Sequence, residues 1–130
     1  MQLPEFELGL SARVELTVTE ADTAQALGSG DVPVLATPKV LALAEAATVA
    51  ATARLIPGGV TTVGTRAEIE HRAATPVGGR VTALATLTKV EGRKLVFEVV
   101  VRSGEELVAD VLVERVMLDR QRFIERANGN

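Results

Sequence analysis

Three side chains carry the means to attack a polarised carbonyl if the fold brings them into one cleft: the hydroxyl of Thr37, the carboxylate of Glu45 and the imidazole of His71. Glu45 stands in an apolar, Ala-rich stretch. At about 100° of helix per residue, Lys39 and Arg54 fall roughly 120° and 180° away from it around the axis. Those basic residues mark the solvent side, whereas Glu45 shares its direction with Leu41, Thr48, Val49 and Thr52. A carboxylate there is costly to bury unless it is paired, protonated or at work. The plainer reading is a boundary glutamate that reaches water at the end of a sheet. His71, the only histidine, falls among the odd positions Val63, Ala67, Ile69 and Ala73, while Arg66, Glu68, Glu70 and Arg72 take the even ones. That puts an acid–base group on the apolar face of a strand, where a hydrogen-bonded core histidine is the alternative. Thr37 begins the helix that carries Glu45. Its hydroxyl would ordinarily cap a backbone N–H, but the same helix end offers N–H groups and a positive dipole to a developing oxyanion.

The elements that position these groups follow from periodicity. Residues 6–18 alternate apolar and polar, as a strand with one buried face does. Residues 20–36 are rich in Asp, Gly and Ser and read as a loop, with room for a helical turn from Thr23 to Leu27, and long enough to serve as a lid or binding loop. Thr37-Pro38 opens a helix that Ala and Leu propagate to about residue 56, where Pro57-Gly58-Gly59 ends it. Being nearly apolar all round, this helix is expected to be largely buried. Four more alternating stretches follow at 60–74, 80–90, 93–102 and 107–118, joined by Gly-containing turns. The order βαββββ predicts an α+β domain spanning residues 1–130, a five-stranded antiparallel sheet wrapped around one long central helix. The charged tail from Asp119 is expected to fray beyond Phe123. Gly58-Gly59 and Gly78-Gly79 read as turns, because no phosphate-binding glycine pattern follows a strand.

Composition excludes several classes. Hydrophobic residues make up 47% of 130, which argues against a disordered chain, and the net charge of −3 with no basic run argues against nucleic acid. With no cysteine and one histidine, neither a thiol nucleophile nor a multi-histidine metal cage is expected. The start of the chain, with Glu5 and Glu7, lacks the pattern of a secretory signal, and no apolar run reaches about 18 residues. The expectation is a cytoplasmic protein without membrane spans.

Over most of its length the sequence resembles the fluoroacetyl-CoA thioesterase-like family of hot-dog-fold proteins. The resemblance is most specific in Val63-Gly64-Thr65 and in the stretch from His71 to Gly78, HRAATPVG, with Thr37 eight positions before Glu45 as a second match. Weaker matches are the hairpin Val90-Glu91-Gly92-Arg93 and the pair Glu114-Arg115. The resemblance implies that Thr37, Glu45 and His71 are the family's catalytic hydroxyl, carboxylate and imidazole. It further implies that Gly64 lies near the bound acyl group, that Arg115 lies near the active site, and that the protein is a homodimer with sites at the subunit interface. One departure is visible. The fluoroacetate-selective member has aromatic residues in its lid, and residues 20–36 here contain none. The resemblance therefore implies a general thioesterase and does not extend to selectivity for a fluorinated acyl group.

The expected function is hydrolysis of an acyl-CoA thioester to a carboxylate and free CoA, with no metal or bound cofactor. Two alternatives stand beside it. An acyl-thioester hydratase on the same fold would want an Asp/His pair, and no Asp lies near His71 in sequence. A non-catalytic module would hold acyl-CoA without turning it over.

Overall fold

The alternating stretches become five strands in the computed structural model, described here over residues 3–129. β1 (Ser11–Thr17) is followed by a single 3₁₀ turn (Glu20–Asp22), a short helix α1 (Ala24–Leu27) and the long helix α2 (Thr37–Thr52). A 3₁₀ turn at Ala53–Leu55 tightens the end of α2 before Pro57-Gly58. Then come β2 (Val60–His71), β3 (Arg80–Glu91), β4 (Lys94–Ser103), β5 (Glu106–Asp119) and α3 (Arg120–Ala127). The strands form one sheet in the order β1-β3-β4-β5-β2, with every pair antiparallel. β1 and β2 are therefore its edges. Two-residue turns close the β3–β4 and β4–β5 hairpins. Each opens on a glycine with positive φ, Gly92 at 59° and Gly104 at 60°, a conformation that a side chain would oppose.

The concave face of the sheet holds α2. Val40, Leu43, Ala44, Ala47 and Ala51 pack against Leu87, Leu95, Phe97, Val99, Val113 and Met117. Each large side chain removed from water there contributes about 1.5–3 kcal/mol. The helix is only half enclosed, however. Ala42, Ala46, Val49 and Ala50 lie on an exposed stripe, because five strands wrap one side of the cylinder and no other element among the described residues covers the other. Glu45 sits at the boundary between the two sides.

Two further expectations are corrected. The tail does not fray at Phe123. It forms α3, whose start is capped by the Asp119 carboxylate accepting from the Arg122 N–H at 3.0 Å. Nor are residues 20–36 an open loop. Thr19 and Asp22 form a capping box, Ala24 N–H donates to the Val34 carbonyl at 2.9 Å, and Leu35 N–H donates to the Thr75 carbonyl at 2.8 Å. Asp22 also pairs with Lys39 on α2 at 3.5 Å. The excursion is pinned at both ends beside the start of α2.

Candidate active site

Thr37 is the first residue inside α2, and the capping position belongs to Ala36, which has no side-chain hydrogen bond to offer. The Thr37 hydroxyl is thus released from capping. It lies 2.8 Å from Nδ1 of His71, at the far end of β2. Pro38 has no N–H, and the Lys39 N–H turns back to the Ala36 carbonyl at 3.0 Å. Among the described residues, the Thr37 N–H makes no hydrogen bond and remains the free donor of this first turn. Burial pushes the His71 imidazole below its ordinary value of 6.5, with a partly offsetting contribution from the Ala73 backbone. The ring is therefore neutral at neutral pH, and in its Nδ1–H tautomer it donates to the Thr37 oxygen, which leaves the hydroxyl proton free for another acceptor. Its Nε2 is buried and has no hydrogen-bond partner of good geometry among the described residues.

Glu45 anchors a second group of residues. Arg115, 6% exposed, lies on β5 among Val111, Val113 and Met117, facing the core. Its Nη1 donates to Glu45 Oε2 at 3.1 Å, its Nε to the Thr62 hydroxyl at 3.0 Å and its Nη2 to the Thr62 carbonyl at 3.0 Å. Burial lowers the Arg115 pKa and the facing Glu45 carboxylate raises it again. A buried guanidinium so close to a carboxylate stays charged, since the pair compensates its loss of water. Gly64 makes room for this arrangement. A Cβ there would collide with Glu45 Oε2 and come within 3.5 Å of Arg115 Nη1.

Gly64 and His71 are seven positions apart, so in a regular strand they would face opposite ways. The β2–β5 register shifts between Gly64 and Arg66. This β-bulge takes up Thr65 and reverses the alternation. Before it, Val60, Thr62 and Gly64 face α2; after it, Ile69 and His71 do. The sequence reading that grouped Val63 with His71 on one face is corrected accordingly. Thr62 was missed for the same reason, as unbroken alternation assigns it to the outer face. Arg115 entered that reading only through the resemblance, although a lone arginine among the odd-numbered apolar positions of β5 was a signal in its own right.

Within one chain the two groups of residues remain apart. Thr37 and Glu45 are separated by about 12 Å along the helix axis at 1.5 Å per residue, and Gly64 and His71 by on the order of 20 Å of strand. A groove of about 530 Å³ adjoins the Glu45 group, lined by Val49, Thr52, Ile56, Val60, Thr62 and Arg120 among others. Among the described residues no cluster of His, Asp and Glu suited to a metal ion is present. No helix among the described residues is long and apolar enough to cross a membrane.

Comparison with known proteins bears on this arrangement. The family model described as fluoroacetyl-CoA-specific thioesterase matches residues 18–121. The fluoroacetyl-CoA thioesterase of Streptantibioticus cattleyicolor is 36% identical over 90 residues, which span 69% of this chain and 65% of that enzyme, slightly under two thirds of its length. A variant of a fluoroacetyl-CoA thioesterase, solved in complex with acetyl-CoA, superposes with a TM-score of 0.91 at 27% identity, over 95% of this chain and 98% of that one. A hot-dog-like protein from Thermanaerovibrio acidaminovorans superposes with a TM-score of 0.86 at 25% identity, over 94% and 90% of the two chains. The sheet wrapped on α2 is thus the hot-dog fold.

Proposed function

Because the chain belongs to the fluoroacetyl-CoA-specific thioesterase family, we propose that it hydrolyses short acyl-CoA thioesters to a carboxylate and free CoA. The observation that carries this reading is a carboxylate on a half-exposed helix face, gripped through one oxygen by a buried arginine, on the same sheet face as a neutral imidazole bonded to a hydroxyl. Glu45 would act as general base toward water, or as nucleophile through a transient anhydride. In the first route water adds to the thioester carbonyl and the C–S bond breaks; in the second the carboxylate displaces the thiolate and water then opens the anhydride; in both the departing thiolate takes up a proton. Thr37, through its hydroxyl and free N–H, would hold the carbonyl oxygen as charge develops, with His71 orienting the hydroxyl and relaying the proton. A small acyl group fits the acetyl-CoA held by the related variant. The lid without aromatics favours general rather than fluorine-selective hydrolysis.

The same reading calls for a second copy. β2 is an edge strand whose outer N–H and C=O groups invite pairing. Antiparallel pairing of β2 with its symmetry mate, about a two-fold axis at Glu68, would, once the extra residue at the Thr65 bulge is counted, set Gly64 opposite the partner's His71. Each composite site would then join Glu45, Arg115 and Gly64 of one protomer to the Thr37–His71 pair of the other. We place the homodimer in the cytoplasm, where acyl-CoA is the available thioester.

Thiol release across a panel of short acyl-CoAs tests the activity, with Glu45→Gln expected to lose about a hundredfold or more of kcat, the usual scale of a positioned general base. Glu45→Gln turnover near that of the unaltered protein refutes the role of Glu45, and acyl-CoA binding without thiol release identifies a binding module instead. Mixing Glu45→Gln chains with His71→Ala chains tests the shared site. Random pairing restores about a quarter of the activity if each site spans two protomers, since half the dimers then carry one intact site. No recovery on mixing means that each site lies within one chain.

A further inference from the structure

The guanidinium of Arg115 has five N–H donors in a planar fork that suits two-pronged recognition of a carboxylate. Here the fork is not used that way. Only Nη1 reaches Glu45, at Oε2 and 3.1 Å, while Nε and Nη2 are both taken by Thr62, through its hydroxyl and its backbone carbonyl at 3.0 Å each. Glu45 Oε1 consequently makes no hydrogen bond among the described residues, on a side chain that is 39% exposed.

We propose that Thr62 is a positioning residue, which holds Arg115 in a one-pronged grip on Glu45 and so keeps the second carboxylate oxygen free to work. Among the described residues the three hydrogen bonds of the guanidinium go to Thr62 and Glu45 alone. The carbonyl of Thr62 would survive any side-chain substitution, so the hydroxyl is the removable half of the clamp. With the hydroxyl gone, Nε is a buried donor without a partner. The shortest remedy is rotation of the fork onto both oxygens of Glu45, which makes a stronger pair and occupies the oxygen that would take a proton from water. The bulge at Thr65 makes this clamp possible, because it leaves Thr62 and Gly64 on the face that meets α2 and Arg115. Gly64 complements it by leaving the space in which Oε2 sits.

This inference rests on the proposed role of Glu45 as base or nucleophile, and the experiment separates the two. Thiol release by Thr62→Val, Thr62→Ser and Glu45→Gln is measured as kcat and KM on the intact protein, with Thr62→Val also made in the Glu45→Gln background. The expected result is a fall in kcat of about tenfold or more for Thr62→Val, in line with the cost of misplacing a reacting group, with KM changed less than about twofold. Thr62→Ser restores the hydroxyl and returns kcat to within about twofold of the unaltered protein, which a role in packing alone would not predict. In the Glu45→Gln background, Thr62→Val adds nothing further. If Thr62→Val does not fold, Thr62→Ala removes the same acceptor without bulk and is read in its place. A Thr62→Val protein with unchanged kcat beside an inactive Glu45→Gln overturns the positioning role and leaves the proposed function standing. A Thr62→Ser protein as slow as Thr62→Val also overturns it. An active Glu45→Gln overturns the function itself.

Discussion

Replacing Gly64 by alanine puts a methyl group onto the Arg115-bound oxygen of Glu45, and the consequence can be worked from the geometry. The added Cβ would collide with Oε2, yet lie 3.4 Å from Glu45 Cδ and 3.5 Å from Arg115 Nη1, both ordinary contacts. Only the tip of one flexible side chain must therefore yield, by roughly an ångström, to regain a normal carbon–oxygen separation. Backbone strain adds nothing, because Gly64 is not among the glycines with positive φ. The stability cost should stay near the low end for overpacking, about 1 kcal/mol, or a fall in Tm of roughly 5 °C for a chain of this size. Catalysis should suffer far more. The carboxylate is shifted from its working position while still facing Arg115, which meets it at 3.1 Å in the unaltered protein, and an ångström of misplacement costs on the order of a hundredfold, about 2.7 kcal/mol in the barrier. The assay is thiol release with a short acyl-CoA, read as kcat and KM beside a thermal melt. Combined with Glu45→Gln, the substitution should add less than about twofold, as both act on one group. A folded Gly64→Ala protein that keeps its rate within about threefold refutes the argument that this glycine exists to admit the carboxylate.

Three other outcomes follow from the same geometry. Thr37→Val should leave Tm within about 1 °C, because the hydroxyl does not cap the helix, while lowering thiol release by about tenfold or more; a melt shifted by several degrees would reinstate the capping role. His71, as the only histidine, gives one clean NMR titration, and its midpoint should lie below 6.5. Since the folded value is depressed, its contribution to stability is complete above 6.5 and is lost as pH falls from there through the folded value, with the rate declining over the same range; a midpoint above 6.5 refutes the neutral ring. Asp22 is held below its ordinary 3.8 by the Thr19 backbone N–H, then the Thr19 hydroxyl and Lys39. Its contribution is therefore present above about 4 and lost as pH falls through the lower folded value, so Asp22→Asn should reduce Tm at pH 7 and converge with the unaltered protein in acid; a gap between the two melts that persists at low pH would contradict this.

Much of the molecule was legible before any coordinates. Alternation in residues 80–118 specified three central strands, and the glycines at 92 and 104 specified the turns between them, because burying one face of a sheet leaves a period-two record in the chain. The α2 segment declared itself through Ala and Leu, closed by Pro57-Gly58. The chemically able residues were also nameable one by one, since a lone histidine and a carboxylate in an apolar stretch each stand out against their surroundings. What pattern could not supply was direction. The Thr37 hydroxyl looked like a cap until the helix began one residue earlier and turned it toward His71. The helix looked buried all round, and only the reach of five strands decided which stripe stays open. Above all, the bulge at Thr65 reversed the facing of every residue before it. It brought Thr62 and Gly64 to the same side as His71. A bulge depends on the register of the partner strand, β5, which lies some fifty residues away in sequence. Local alternation carries no information about that partner, so the pairing of Arg115 with Glu45 and Thr62 could be decided only by the tertiary structure.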